Sequence, residues 1–360
     1  MCCIVVDMAI QTFRGVQALR LLSAVLVVAV HVCRWYDRDA DPRSPAPQGE
    51  LLGDVCVATF FLISGFVVVH VVDTGHDRDW RTFAVRRAIR VLPLAWAMTS
   101  TKIVAALVAP GAMFDGGLDT TRIVASYLLV PSRDPAGAVR MLWGVEWTLV
   151  LEVAFYAVVA VAMAARIDPV RLATPVLLVA AALSLWQRDD GSVLWFYADP
   201  VVLFLVAGMW LRRAVSTGRV VPTAVGIGGL AVVGAGLAAA RGDDPSGAGA
   251  GFLLVTAAFG FVVAAERRRG RLVPAWVVAA GDSAFALYLT HPLVAQALPR
   301  LLGLTGLDAV PWLPVVVAST ALSVLLGLGV HRFVDRPVGR ALRRRLVPTP
   351  DATRHPAGAR

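Results

Sequence analysis

"QALRLLSAVLVVAVHVCRWY", residues 17–36, decides how the chain is read. The stretch is apolar enough to cross a membrane, yet it carries Arg20 near one end and His31 near the other. An arginine at the centre of a span costs about 2.5–3.5 kcal/mol on insertion scales, so a span that keeps one needs a compensating reason. Eleven residues separate the two side chains. At ~100° per residue that is only about 20° past three full turns, so both point to one helix face, roughly 16 Å apart along the axis. Intramembrane ionisable groups face a bundle interior and mark a pathway or a site. The pair therefore reads as the wall of a polar channel, with arginine toward the cytoplasm and histidine in the outer half. The plainer alternative is an arginine that snorkels to the interface and a histidine bonded to a backbone carbonyl.

The rest of the chain supports a membrane setting. Of 360 residues, 58% are hydrophobic and only 16% are charged, and the mean hydropathy is +0.70. Continuous runs of about 20 apolar residues recur along the whole length, which predicts an all-α, polytopic membrane protein rather than a barrel of alternating strands. Ten crossings are expected, at about 16–35, 52–72, 88–109, 143–165, 172–187, 193–212, 220–240, 249–265, 274–298 and 311–333. The apolar segment 121–131 is too short to cross and reads as re-entrant or interfacial.

The net charge of +9 does not point to nucleic acid. Every basic residue but Lys102 is an arginine, and most arginines lie in short segments between spans, where they set topology and meet anionic lipid. With the N-terminus inside, 24 of the 33 arginines fall on cytoplasmic segments, so both termini are expected to be cytoplasmic. Counting 121–131 as a crossing would put ERRRGR (266–271) outside. One membrane domain is expected over 1–345, with its basic end lying on the inner leaflet and 346–360 a disordered tail. No cleavable signal is read before Arg14. The four cysteines show no metal spacing. Small residues four apart, Gly234 and Ala238, suit close helix packing. No sequence repeat of the transporter kind is seen.

Other spans carry polar residues too. "TFFLISGFVVVH" places Ser64-Gly65 among Phe60, Phe61 and Phe66; the glycine alone suits packing or close approach of a ligand. "FAVRRAIRVLPLAW" opens with Arg86, Arg87 and Arg90. Arg87 and Arg90 share a face at i, i+3, and two guanidiniums on one face suit a phosphate or pyrophosphate or, more plainly, a lipid headgroup. In "WGVEWTLVLEVAFY" Glu146 is expected near the outer surface, and Glu152, with Tyr156 at i+4, ~14 Å deep. A carboxylate there needs a partner or a task. "GDSAFALYLTHPLV" holds Ser283, read as a helix N-cap rather than a lipase-type nucleophile, and His291 before a kink-prone Pro292.

Taken together, these blocks resemble the membrane-bound acyltransferase-3 family, whose members O-acetylate bacterial surface glycans. Arg20 and His31 resemble its first-span signature, Phe60, Ser64 and Gly65 its Phe-x-x-x-Ser-Gly block, and Arg87 and Arg90 its Arg-x-x-Arg block. Trp147 to Glu152 with Phe155-Tyr156, and Tyr288 with His291, are similar to two further blocks, and the order is kept across the chain. Thr148 stands where serine is usual, Val153 where a second acid is common, and Asp335 where glutamate is frequent.

The resemblance implies transfer of an acyl group, acetyl by preference, from acyl-CoA as co-substrate to a hydroxyl of a sugar-containing acceptor, in the plasma membrane. It implies His31 as general base with Glu152 orienting or stabilising the imidazole. Arg20, Arg87 and Arg90 would hold the donor phosphates. Ser64, Trp147, Tyr156 and Tyr288 would line the pocket, with His291 helping to bind the acceptor. No metal is called for. No appended hydrolase-like domain is read, so the acyl group would pass straight to a polysaccharide, a lipid-linked sugar or a glycosylated metabolite. The rival from another class is a proton-coupled transporter or flippase, since buried Arg, His and Glu also build proton relays.

Overall fold

The computed structural model describes residues 13–37, 46–75, 77, 79–108, 118–186, 192–269, 273–304 and 311–347. Its helices are α1 (Arg14–Asp37), α2 (Ala46–Asp73), α3 (Trp80–Val108), α4 (Thr120–Leu128), α5 (Trp147–Ala164), α6 (Pro169–Leu183), α7 (Leu203–Thr217), α8 (Val220–Arg241), α9 (Pro245–Arg269), α10 (Ala275–Asp282), α11 (Ala284–Leu304), α12 (Trp312–Val330) and α13 (Arg336–Leu346). Among the described residues, nine helical segments are long and apolar enough to cross a membrane. The helix pair Ala275–Asp282 and Ala284–Leu298, bent by 62°, makes a tenth where it counts as one span. The protein is a polytopic all-α membrane protein.

Two expectations about the broken span change. The break falls at Ser283, and α11 runs on through Pro292. Ser283 does occupy the N-cap position, since its carbonyl accepts from Leu287 N at 2.9 Å. Its hydroxyl, however, donates back to Ala280 O at 2.7 Å instead of capping α11. The expected disordered tail lies outside the described residues beyond Val347.

Helix α1 sits at the centre, against α2, α9, α10, α11 and α12. Its first turn is capped from another helix: Glu266 of α9 accepts from Arg14 N at 2.5 Å and from Gly15 N at 2.8 Å. Local signals start and stop other helices. Asp79 accepts from the Thr82 hydroxyl and amide at the start of α3, and those bonds hold its carboxyl below the usual range. Asp168 caps α6 ahead of Pro169. Gly218, at φ 72°, ends α7 in the left-handed region.

Glycines set the tightest contact in the bundle. A Cβ on Gly65 of α2 would lie 2.2 Å from Leu205 O, and one on Gly208 of α7 would lie 2.1 Å from Leu62 O. The two backbones therefore touch, and Gly65 is a packing residue. The expected seam at Gly234 and Ala238 is looser: a Cβ on Gly234 meets only Leu203 Cδ1, at 3.8 Å. Peripheral α8, α9 and α12 expose Val225, Val232, Leu254, Phe261 and Leu325, the apolar surface that a lipid-facing helix needs.

Segment 121–131 does not cross. Eight of its residues lie in α4, which folds against α3 through Trp96 Nε1 to Tyr127 O (2.7 Å) and a Ser100–Tyr127 hydroxyl pair (2.7 Å). The chain from Leu129 to Glu146 then packs inward, tied by Trp143 Nε1 to Leu289 O at 2.9 Å.

Candidate active site

Two cavities enter the bundle. The first, about 1200 Å³ with its mouth included, is lined by Arg20 of α1, Ser64 of α2, Arg86, Arg87 and Arg90 of α3, Glu152 and Tyr156 of α5, Tyr288 of α11 and Arg343 of α13. At its deep end Glu152 Oε1 accepts from Ser64 Oγ at 2.7 Å and from the Tyr156 hydroxyl at 2.5 Å. Tyr288 donates to Val145 O and meets the Thr148 hydroxyl, both at 3.0 Å. Thr148 thus supplies the hydroxyl that a serine would. Arg20 donates to Gln17 Oε1 at 3.3 Å, and Gln17 donates to Asp282 Oδ1 at 2.6 Å, so α1 and the broken span share one polar chain.

The mouth of this arginine cavity is held open by matched charges. Asp77 pairs with Arg86 at 2.6 Å and lies 4.0 Å from Arg87. Arg90 pairs with Asp335 at 3.5 Å, and Asp335 is also bonded by His331 at 2.8 Å. Aromatic rings hold the guanidinium planes. Arg87 lies 5.3 Å from the Phe83 ring and 5.4 Å from Tyr156, and Arg90 lies 4.7 Å from Phe285. Arg87 Nε is buried with no hydrogen-bond partner among the described residues. An oriented, dry donor of that kind suits an incoming oxyanion.

The second cavity, about 1330 Å³ with its mouth included, is lined by His31, Arg34, Trp35, Lys102, Arg122, Arg140, Trp147 and Phe196 among others. Its walls come from α1, α3, α4, α5 and the 129–146 chain. Three aromatic faces beside polar and basic groups form a surface on which a sugar ring can stack and bond. Lys102, the chain's single lysine, is one of these groups.

From His31 a run of ring contacts leads toward the first cavity. His31 Nδ1 lies 3.1 Å from His291 Nε2, and His291 Nδ1 bonds Tyr288 O at 2.7 Å. The His31 and His291 rings are 5.0 Å apart, and His291 and Tyr288 are 6.0 Å apart. Since Tyr288 lines the arginine cavity and His31 the histidine chamber, two ring contacts separate them.

The structure brings Arg20, Ser64, Arg87, Arg90, Glu152, Tyr156 and Tyr288 around the first cavity and His31 and Trp147 around the second. Arg20 and His31 therefore line different cavities instead of one continuous wall. The expected partnership of Glu152 with His31 is replaced: Glu152 holds Ser64 and Tyr156, and His31 holds His291. His291 is 1% exposed and lines neither cavity, so it cannot touch an acceptor as expected. Glu146 is fully buried within the protein at the start of α5, accepting from Thr99 at 2.9 Å. The basic end of the chain does more than meet lipid, because α13 packs on α3 and brings Arg343 to the mouth. Asp77, Arg343 and Lys102 escaped the sequence reading. The lone lysine inside a span was the one signal available. Among the described residues no group of three His, Cys, Asp or Glu is placed to hold a metal ion.

A family model described as an acyltransferase domain matches residues 13–332. The chain belongs to the acyltransferase-3 family. This acyltransferase is also 29% identical over 314 residues to the exopolysaccharide production protein ExoZ of Rhizobium meliloti (strain 1021), covering 82% of this chain and 92% of that protein. No solved structure matches the chain. Family membership and the apolar helices together make the protein a multi-pass membrane acyltransferase.

Proposed function

We propose that this acyltransferase moves an acyl group, acetyl by preference, from acyl-CoA to a hydroxyl of a sugar-containing acceptor. The observation that carries the reading is His31, which stands on the histidine chamber two ring contacts from the cavity built by Arg20, Arg87, Arg90, Ser64 and Glu152. Acyl-CoA is cytoplasmic and carries several phosphate charges, so the arginine mouth is assigned to the cytoplasmic side of the plasma membrane. Arg87 and Arg90 take the donor phosphates there, and Arg20 lies deeper. Glu152 sets the Ser64 and Tyr156 hydroxyls along the path of the pantetheine arm. Trp147 and the other aromatic faces of the chamber hold the acceptor. The similarity to an exopolysaccharide production protein favours a glycan in that role.

In the transfer the acceptor hydroxyl oxygen bonds the acyl carbon while His31 takes the hydroxyl proton. The carbon–sulfur bond breaks, and the CoA thiolate leaves with that proton. Acyl-CoA is a co-substrate released as CoA after each turnover.

The test is CoA release by purified protein in liposomes given acetyl-CoA and a crude acceptor fraction. Wild type releases CoA only with both present. A folded His31→Ala variant falls by about 100-fold or more; retention of the wild-type rate would reject the proposal. A carrier would relocate its substrate and release no CoA. Mass spectrometry of surface glycans and secreted metabolites from deletion cells names the acceptor by one lost acetyl adduct.

A further inference from the structure

We infer that His291 is a positioning residue that holds His31 in the one neutral tautomer able to act as base through Nε2. The inference rests on the reading of His31 as the proton acceptor in acyl transfer. It begins at Pro292, which has no backbone N–H. Within α11 that N–H would donate to the carbonyl four residues earlier, Tyr288 O. The freed carbonyl is filled by the His291 side chain, whose Nδ1 lies 2.7 Å away.

A carbonyl oxygen has no proton to give, so His291 Nδ1 carries the hydrogen. Both rings are largely buried, and among the described residues no carboxylate bonds either one, because Glu152 is held by Ser64 and Tyr156. The chamber also sets Arg34, Lys102, Arg122 and Arg140 beside His31, the last of them paired with Asp134 at 3.7 Å. A base that takes the acceptor proton starts neutral, and a second buried charge against it is costly, so the pair is read with both rings neutral. Neutral His291 with hydrogen on Nδ1 has a bare Nε2. That nitrogen faces His31 Nδ1 at 3.1 Å, and two bare nitrogens do not bond. His31 also bonds the Val27 backbone carbonyl one turn earlier on α1, and a hydrogen on Nδ1 serves both acceptors and leaves the Nε2 lone pair for the chamber that it lines.

The relay stays intact through the reaction. The acceptor proton arrives on His31 Nε2 and departs from Nε2 to the CoA thiolate. The Nδ1–H bond to His291 is kept throughout, and it steadies the transient imidazolium. His291 touches neither substrate, and its effect passes wholly through the first ring.

Three substitutions separate this role from packing. His291→Gln places an amide oxygen where Nε2 was and can still accept from His31. His291→Asn reaches only the Tyr288 carbonyl, and His291→Phe keeps ring volume with no acceptor. The Asn and Phe variants, assayed as above, are expected to lose on the order of 100-fold in kcat with KM for acetyl-CoA unchanged, while Gln stays within several-fold of wild type. Nitrogen-15 NMR of histidine-labelled protein in detergent reads the tautomer directly: His31 carries Nδ1–H in wild type and Gln, and loses that preference in Phe. Equal kcat in all three variants overturns the inference, as does an Nε2–H signal for His31 in wild type, a measurement that needs no variant to fold. With His31→Ala inactive, those results leave the base reading standing. An active His31→Ala removes both.

Discussion

The arginine cavity and the histidine chamber differ in construction. The first is walled by long helices, and its mouth cations face carboxylates: Arg86 and Arg87 at Asp77, Arg90 at Asp335. The second is closed by the nine-residue α4 and the 129–146 chain, and it exposes aromatic faces among basic groups. Helix walls give a fixed spacing of charges, which would suit the proposed acyl-CoA donor, whose phosphates never change. Loop walls can be reshaped without disturbing the bundle, which suits an acceptor that differs between enzymes. The contrast predicts that damage to each cavity shows up on a different substrate.

The largest effect should come from breaking what both cavities share. Gly65→Ala drives a methyl into Leu205 O, and overpacking of that kind costs about 1–3 kcal/mol. The melting temperature in detergent and turnover with either substrate should fall together; a silent substitution would mean that the α2–α7 contact is looser than described. Next, Arg87→Ala with Arg90→Ala removes contacts that must first displace Asp77 and Asp335, a net loss of about 1.5 kcal/mol for the pair. KM for acyl-CoA should rise at least tenfold with the acceptor KM steady. An equal rise in both KM values would erase the division of labour. Trp147→Ala is the mirror experiment: the acceptor KM should rise several-fold, consistent with about 0.5–1.5 kcal/mol for an aromatic contact, while Trp147→Phe recovers most of it. Smallest is Arg140→Ala. Its side chain is 57% exposed and its ion pair with Asp134 spans 3.7 Å, so a change of no more than about 1 kcal/mol, fading with salt, is expected.

How far each cavity was legible in the sequence follows from the same contrast. Arg87 and Arg90 at i, i+3, and Glu152 with Tyr156 at i, i+4, announce shared faces because helix geometry is local. The apolar runs gave the crossings for the same reason. What helix periodicity does not encode is which face meets which. Glu152 takes Ser64 of α2, 88 residues away in the chain, and His31 takes His291 of α11, 260 residues away. The chamber was harder still. Lys102, Arg122 and Arg140 meet only after the 129–146 chain folds inward on Trp143, and no repeating pattern marks such a loop. His291 was visible as a residue but not as a partner, since its role depends on a carbonyl that Pro292 leaves open.

The carboxylates at the arginine mouth have a consequence for traffic through it. A cytoplasm is crowded with small anions, and an unmatched cluster of guanidiniums would be occupied much of the time. Where Asp77 and Asp335 already fill the arginines, a lone monovalent ion only exchanges one counter-charge for another. On the donor reading proposed above, a molecule bearing several phosphates on one frame would engage several guanidiniums at once and displace both aspartates, so the mouth would select by valence before any group further along it has read the rest of the molecule.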